Sequence, residues 1–417
     1  MEVDAIPQQT QEKIAQIDVA DVVVGILADF DQDSVLTLCQ DLRTLSGSPR
    51  IVLLQSGPVD KTATANSHTA EGTTSLSLLH WSVFGPDLLG SPLQSMSTAC
   101  QSLFAVSERL GARACCLVAS RMEDATSRWV CQLVQPLLDA DVDLALPDYA
   151  PRKLQGLLNS SIIYPLTRCL YGKRIHNPLG PDLGVSRRLA QKMLGANRNG
   201  KASPSRTHPV ASLASVAICD DLQICQVHVG ARLHPPSDWM NISALVAQIL
   251  GPIFLDMERS AACWQRTRGS VSVPTRGERL SLSQDTGTLD MNRMVETFQL
   301  GVRDLHEIWG LVLPPATLLE LRKLSRVAPD QVHMPDELWA RIVYDFALAH
   351  RLHTINRDHL LRSMTPLYLA WVVSYARELE SARAATVEQR IERLSLAYEA
   401  AKPYLVSRWR WPDRFHP

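Results

Sequence analysis

The chain has 417 residues, enough for one large domain or two to three ordinary ones. Its 42 Lys and Arg against 43 Asp and Glu leave a net charge of −1, which argues against a chain built to wrap nucleic acid or coat an anionic membrane, since both need excess cations. Hydrophobic residues are 46% and charged ones 20%, a globular balance, and no apolar run, Leu245 to Leu255 being among the longest, approaches the roughly 20 residues that span a bilayer.

The N-terminal stretch 1–18 is largely polar, carries acids and reads as a flexible lead-in rather than a secretory signal. Val22 to Leu27 is a short β-branched run bounded by acids and reads as a buried parallel strand. Asp33 to Leu45 then reads as a helix and Arg50 to Leu54 as a second strand. Gly57 to Ser75, rich in Ser, Thr, Ala and Gly, reads as a loop. Ser95 to Leu110 is helical, Arg113 to Ala119 a third buried strand, Thr126 to Leu138 a helix and Asp143 to Pro147 a fourth strand. Strands alternating with helices predict βαβ units and a mainly parallel sheet. Leu194 to His208 and Thr267 to Thr288 read as loops.

Past Leu289 the pattern turns helical. Val387, Ile391, Leu394 and Tyr398 fall on one helix face, with Thr386 and Gln389 as a capping box and Pro403 as an interruption. Pro335 with Asp336 and Glu337 opens another helix, since proline and acids suit a first turn. The expected organisation is therefore a flexible 1–18, an α/β domain over 19–266, a linker at 267–288 and an all-helical region over 289–417. The nine cysteines are scattered without CxxC spacing, and most sit among apolar neighbours. A reduced, cytoplasmic setting is the expectation.

Parallel sheets bind ligands outside the carboxyl ends of their strands, which directs attention to Leu27–Asp33, Ser120–Asp124 and Pro147–Lys153. Neither GxGxxG nor GxxxxGK[ST] is present. Three consecutive stretches carry a resemblance: Pro147-Asp-Tyr-Ala-Pro-Arg-Lys153, Ser161-Ile-Ile-Tyr-Pro-Leu-Thr-Arg-Cys-Leu-Tyr-Gly172 and Asn177-Pro-Leu-Gly-Pro-Asp-Leu-Gly-Val-Ser186. Gln226-Val-His-Val-Gly-Ala-Arg-Leu-His234, Asp336 to Tyr344 and Pro366 to Leu369 extend it. Together they resemble bacterial nucleotide-sugar glycosyltransferases of the GT-A fold, of the mannosylglycerate and glucosylglycerate synthase type. The resemblance implies a Rossmann-like, mainly parallel sheet followed by helices. It also implies transfer of a hexose from a nucleotide-diphosphate sugar to a small hydroxylated acceptor such as glycerate.

The same resemblance assigns candidate residues. Asp182 is the candidate catalytic or orienting carboxylate, and the alternative reading makes it a turn aspartate that satisfies backbone N–H groups. Leu27, Asp29, Arg121 and Gly180 fall on the donor side, and Tyr149, Arg152 and Lys153 on the acceptor side, where two cations would meet a carboxylate. The family holds Mg²⁺ or Mn²⁺ with an Asp-x-Asp pair, because carboxylate-held divalent ions stabilise a departing diphosphate. Aligned on Trp129, that pair falls on Ala119 and Arg121. Metal ligands would then come from His234, Glu123 and Asp124, or Arg121 would pair with the diphosphate without an ion. A catalytically degenerate homologue serving as a binding or regulatory partner is the competing reading. Tyr164, Tyr171, Trp309, Trp339 and Trp371 read as packing residues. The apolar helical region could also supply a homodimer face.

Overall fold

The structure, a computed structural model, describes residues 12, 14–27, 32–56, 76–81, 92–120, 127–139, 142–150, 152–198, 209–232, 241–278, 289–380 and 384–412. Contacts divide the chain into two compact units. One comprises Met1–Ala150, Ile175–Leu233 and Ser272–Leu280; the other comprises Pro151–Arg174, His234–Val271 and Ser281–Pro417.

The first unit is built on β1 (Val22–Ile26), β2 (Ile51–Ser56), β3 (Leu76–Trp81), β4 (Ala114–Val118) and β5 (Leu144–Tyr149). After the short β6 (Lys173–Arg174) come β7 (Leu183–Ser186), β8 (Ile224–Val229), β9 (Val271–Ser272) and β10 (Thr275–Arg276). Eight of these form one sheet in the order β10-β8-β5-β7-β4-β1-β2-β3, and β6 pairs with β9 in a two-stranded ribbon. Every pairing in the large sheet is parallel except those of β7, which runs antiparallel between β4 and β5.

Both faces of the sheet are buried, which explains why its strands read as continuous apolar runs. Along β1, Val22, Val24 and Ile26 enter one core with Leu38, Leu42, Trp129 and Leu133, while Val23 enters the other with Leu103, Phe104 and Leu189. That alternation is the period-two geometry of a strand, with helices Gln32–Leu42 and Arg128–Leu138 on one face and Pro92–Arg109 and Arg187–Arg198 on the other. Asp143, 5% exposed, ties the opposite edge together. It accepts from Ser186 Oγ at 2.8 Å, Arg188 Nε at 2.9 Å and the Gln223 N–H at 3.0 Å, joining the start of β5 to the end of β7 and the start of β8. The mainly parallel α/β sheet that the GT-A resemblance implies is present, and the four strands expected over residues 22–147 lie within a few residues of their expected places. β3, β7, β8 and β10 of this sheet had no counterpart in the strands expected.

In the second unit all long elements are helices, as expected for the C-terminal region. The Ser161–Gly172 motif is a packing motif there. Arg168, fully buried, donates from Nε to Glu399 at 2.7 Å and from Nη2 to Glu392 at 2.8 Å. Trp339 Nε1 and Tyr398 OH both donate to the Ser161 carbonyl, at 3.1 and 2.9 Å. The helix Tyr164–Tyr171 ends on Gly172 at φ 70°, and the Lys402 ammonium donates to the carbonyls of Cys169, Leu170 and Thr267 at 2.6, 3.0 and 2.9 Å. An ammonium at a helix C-terminus meets carbonyls that have no partner within the helix.

Pro335 and the acids after it open the helix Asp336–Leu352, and Arg390 grips Asp336 with two bonds of 2.8 Å. Val387, Leu394 and Tyr398 are fully buried, as their spacing predicts, while Ile391 on the same expected face is only half-buried. Two expectations are corrected. The last helix spans Ala384–Arg410, so Thr386 lies inside it rather than capping it, and Pro403 does not interrupt it. A proline costs the helix one N–H bond and crowds the preceding turn. The buried anchors Lys402, Leu405 and Trp409 on the proline's two sides hold the helix against that loss.

Candidate functional site

The carboxyl ends of β1, β4, β5 and β8 lie side by side in the first unit, and β7, being antiparallel, brings its N-terminal end to the same edge. Asp182 immediately precedes β7 and is therefore delivered to the end of β4. It is fully buried. Its Oδ1 accepts from the backbone N–H groups of Ala119 and Ser120 at 2.6 and 2.9 Å, and its Oδ2 accepts from the Tyr149 phenol at the end of β5. Charge-assisted bonds of this kind are about twice as strong as neutral ones and hold a buried carboxylate without a counter-ion. Burial, with the Asp182 carboxylate next in effect, pushes the Tyr149 phenol well above its ordinary range, so it remains a donor. Arg232, just past β8, stands over the Tyr149 ring with its guanidinium carbon 6.0 Å from the centroid.

The turn before Asp182 is tight. The Gly180 N–H donates to the Asn177 carbonyl at 3.1 Å, and a Cβ on Gly180 would lie 3.3 Å from Pro147 Cγ and from the Asp182 carbonyl. Gly184 has less room still: a Cβ there would approach Leu137 Cδ1 to 2.8 Å and the Leu133 carbonyl to 3.0 Å. Leu27 is half-buried at the end of β1, and its N–H donates to the Val118 carbonyl at 2.8 Å.

A second cluster at this edge was not singled out from the sequence. Asp148 and His228 are register partners on β5 and β8, and Asp148 bridges two imidazoles: Oδ1 to His176 Nδ1 at 2.9 Å and Oδ2 to His228 Nδ1 at 3.0 Å. The His176 N–H donates to Gln226 Oε1 at 2.6 Å, and Gln226 Nε2 to Thr275 Oγ1 at 3.4 Å. Alternation along β5 sends Asp148 and Tyr149 to opposite faces. The signal available was the Gln226-Val-His228 stretch, with histidine opposite the acid of Pro147-Asp-Tyr.

Of the residues expected at the site, Asp182, Tyr149, Gly180 and Leu27 lie along this edge. Arg152 and Lys153 belong to the other unit, where Arg152 Nη1 donates to Gln155 Oε1 at 3.0 Å. Asp29, Arg121, Glu123, Asp124 and His234 lie outside the described residues. No group of three His, Cys, Asp or Glu among the described residues is arranged to hold a metal ion. At the β4 end both Asp182 oxygens are engaged. The described residues do not fit a divalent ion. Among the described helices, none is long and apolar enough to cross a membrane.

No family model and no curated relative matches the chain. Among solved structures it is similar to glucosyl-3-phosphoglycerate synthase from Mycobacterium tuberculosis in complex with phosphoglyceric acid, with 17% identity over 60% of this chain and 84% of that one and a TM-score of 0.37. It is similar to mannosyl-3-phosphoglycerate synthase from Rubrobacter xylanophilus, with 12% identity over 64% and 82% and a TM-score of 0.36. A mannosyltransferase from Pyrobaculum calidifontis, in complex with GDP-Man and Mn²⁺, has 10% identity over 95% and 88% and a TM-score of 0.34.

Proposed function

We propose that the chain is a GT-A-type transferase that passes a hexose from a nucleotide-diphosphate sugar to a small hydroxylated acceptor, glycerate being the simplest candidate. One observation carries this reading: the Asp182–Tyr149 pair, fixed on the β4 N–H groups and overlain by Arg232, sits at the carboxyl edge where parallel sheets take their ligands.

In this reading Asp182 is a positioning residue. Its oxygens are committed to holding the β4 end and the Tyr149 phenol, and it touches neither donor nor acceptor. Arg232 offers fork-shaped donors to the diphosphate, a recognition that needs no metal. Leu27 and the Gly180 turn border the donor, and Tyr149 borders the acceptor. The leaving diphosphate is stabilised by fixed charge and by orientation. A cytoplasmic setting and a homodimer are parts of the same proposal.

A second reading has an observation of its own. With Ala119 at the β4 end and Asp182 engaged, the fold serves a catalytically degenerate homologue that binds a partner.

Calorimetric titration with UDP-glucose and GDP-mannose, each with Mn²⁺ and with EDTA, separates the two. Binding of either donor in EDTA, together with a glycoside detected by mass spectrometry after glycerate is added, supports the transferase. Binding that requires Mn²⁺ overturns cation-only recognition. Silence with both donors in every condition favours the binding partner.

A further inference from the structure

The second unit carries a cleft of about 530 Å³ that the proposed transfer reaction does not use. Its wall comes from the helix Ile242–Arg259, which supplies Glu258, from Gln265 at the end of the short helix Ala261–Trp264, and from the helix Asp336–Leu352, which supplies Arg351. The end of the last helix adds Trp409, Arg410 and Trp411. The volume suits one small ligand.

The cleft is preorganised. Trp409 is 3% exposed and meets Trp264 edge-on at 5.3 Å. Arg351 lies over the Trp409 ring at 4.6 Å and donates from Nη1 to the Trp409 carbonyl at 2.7 Å. Arg410 Nε donates to Gln265 Oε1 at 2.8 Å. A guanidinium carries five N–H donors, and these bonds engage one on each arginine. Among the described residues neither Arg351 nor Arg410 has a carboxylate within 4.0 Å, whereas the cleft's own acid, Glu258, faces Arg357 at 3.5 Å. Beside the two cations stands the Trp411 indole, 56% exposed.

Two guanidinium forks without a carboxylate, a flat apolar ring and the amide of Gln265 make a specific demand. The forks call for a carboxylate or phosphate, the indole for the apolar C–H face of a ring, and the amide for hydroxyls. We infer that this cleft binds an anionic monosaccharide, a sugar phosphate or a sugar acid, with its charge on Arg351 and Arg410 and its ring against Trp411.

The test is calorimetry on the full chain with glucose 6-phosphate and glucuronate, with glucose, inorganic phosphate and AMP as controls. The expected result is millimolar or tighter binding of both anionic sugars, weakened about tenfold by Arg410→Gln and by Trp411→Ala, the two exposed residues whose replacement leaves the buried core intact. Tyr149→Phe, at the sheet edge, should leave this binding unchanged, so failure of the cleft and failure of the transferase reading are distinguishable. Absence of binding by both sugars at about 10 mM overturns the assignment, as does binding that Arg410→Gln leaves intact. Inorganic phosphate binding as tightly as glucose 6-phosphate removes the sugar from it. AMP binding more tightly than either sugar reassigns the cleft to a nucleotide. Glucose 6-phosphate binding without glucuronate overturns the sugar acid alone, and the reverse overturns the sugar phosphate alone.

Discussion

Asp182 shows how far from its neighbours in sequence a side chain can find its partners. Sequence context left two roles open, a catalytic carboxylate or a turn aspartate serving backbone N–H groups. The N–H groups it serves belong to Ala119 and Ser120, about sixty residues away in sequence, so the contact is tertiary and invisible to local reasoning. Replacing Asp182 with Ala should lower stability by about 3 kcal/mol, because two buried N–H donors and a phenol lose their acceptor together. Asp182→Asn, which keeps an acceptor for the N–H pair, should recover much of that loss. Urea denaturation of the three proteins measures both effects, and an Ala variant as stable as the parent would remove the positioning role. The Asp148–His176–His228 cluster escaped the sequence for the same reason: its members come from three separate segments, and no spacing links them.

At the scale of elements, what was legible was what is local. The β-branched runs of β1 and β4 and the apolar stripes of the long helices carry their period in consecutive residues. β7 does not. Four residues long, it is specified by its surroundings, above all by Gly184, whose neighbours Leu137 and Leu133 leave no space for a side chain. Gly184→Ala should cost about 2 kcal/mol through overpacking. The shift should appear as an unchanged denaturant slope with a lower midpoint, and an unchanged midpoint would show that the helix Arg128–Leu138 yields. The last helix teaches the converse. Pro403 reads as a breaker in isolation, yet the Lys402 bonds to three carbonyls hold the helix through it.

For the molecule as a whole, one buried histidine makes stability fall as the solution turns acid. His350 is 2% exposed, meets Phe254 edge-on at 5.7 Å, and has no partner for Nδ1 among the described residues. Burial, then the charges of Arg357 and His353, pushes its pKa down to about 4 from an ordinary 6.5. The folded imidazole is therefore neutral while the unfolded one takes up a proton. This stabilising contribution is complete above pH 6.5 and is lost as pH falls towards 4, by up to about 3 kcal/mol. Melting temperatures recorded from neutral pH down into that window should fall, and His350→Leu should flatten the decline. Parallel curves for the two proteins would place the acid sensitivity elsewhere.

The order of strands also has a consequence for synthesis on the ribosome. β1, β2, β3 and β4 are mutual neighbours and are all made early, so half of the sheet can assemble while the rest of the chain is still being translated. β5 emerges next with no neighbour ready, since its partners β7 and β8 follow much later in the chain. Until β7 arrives, the open side of β4 and the whole of β5 are unpaired edges, the kind of surface that recruits other nascent chains and chaperones.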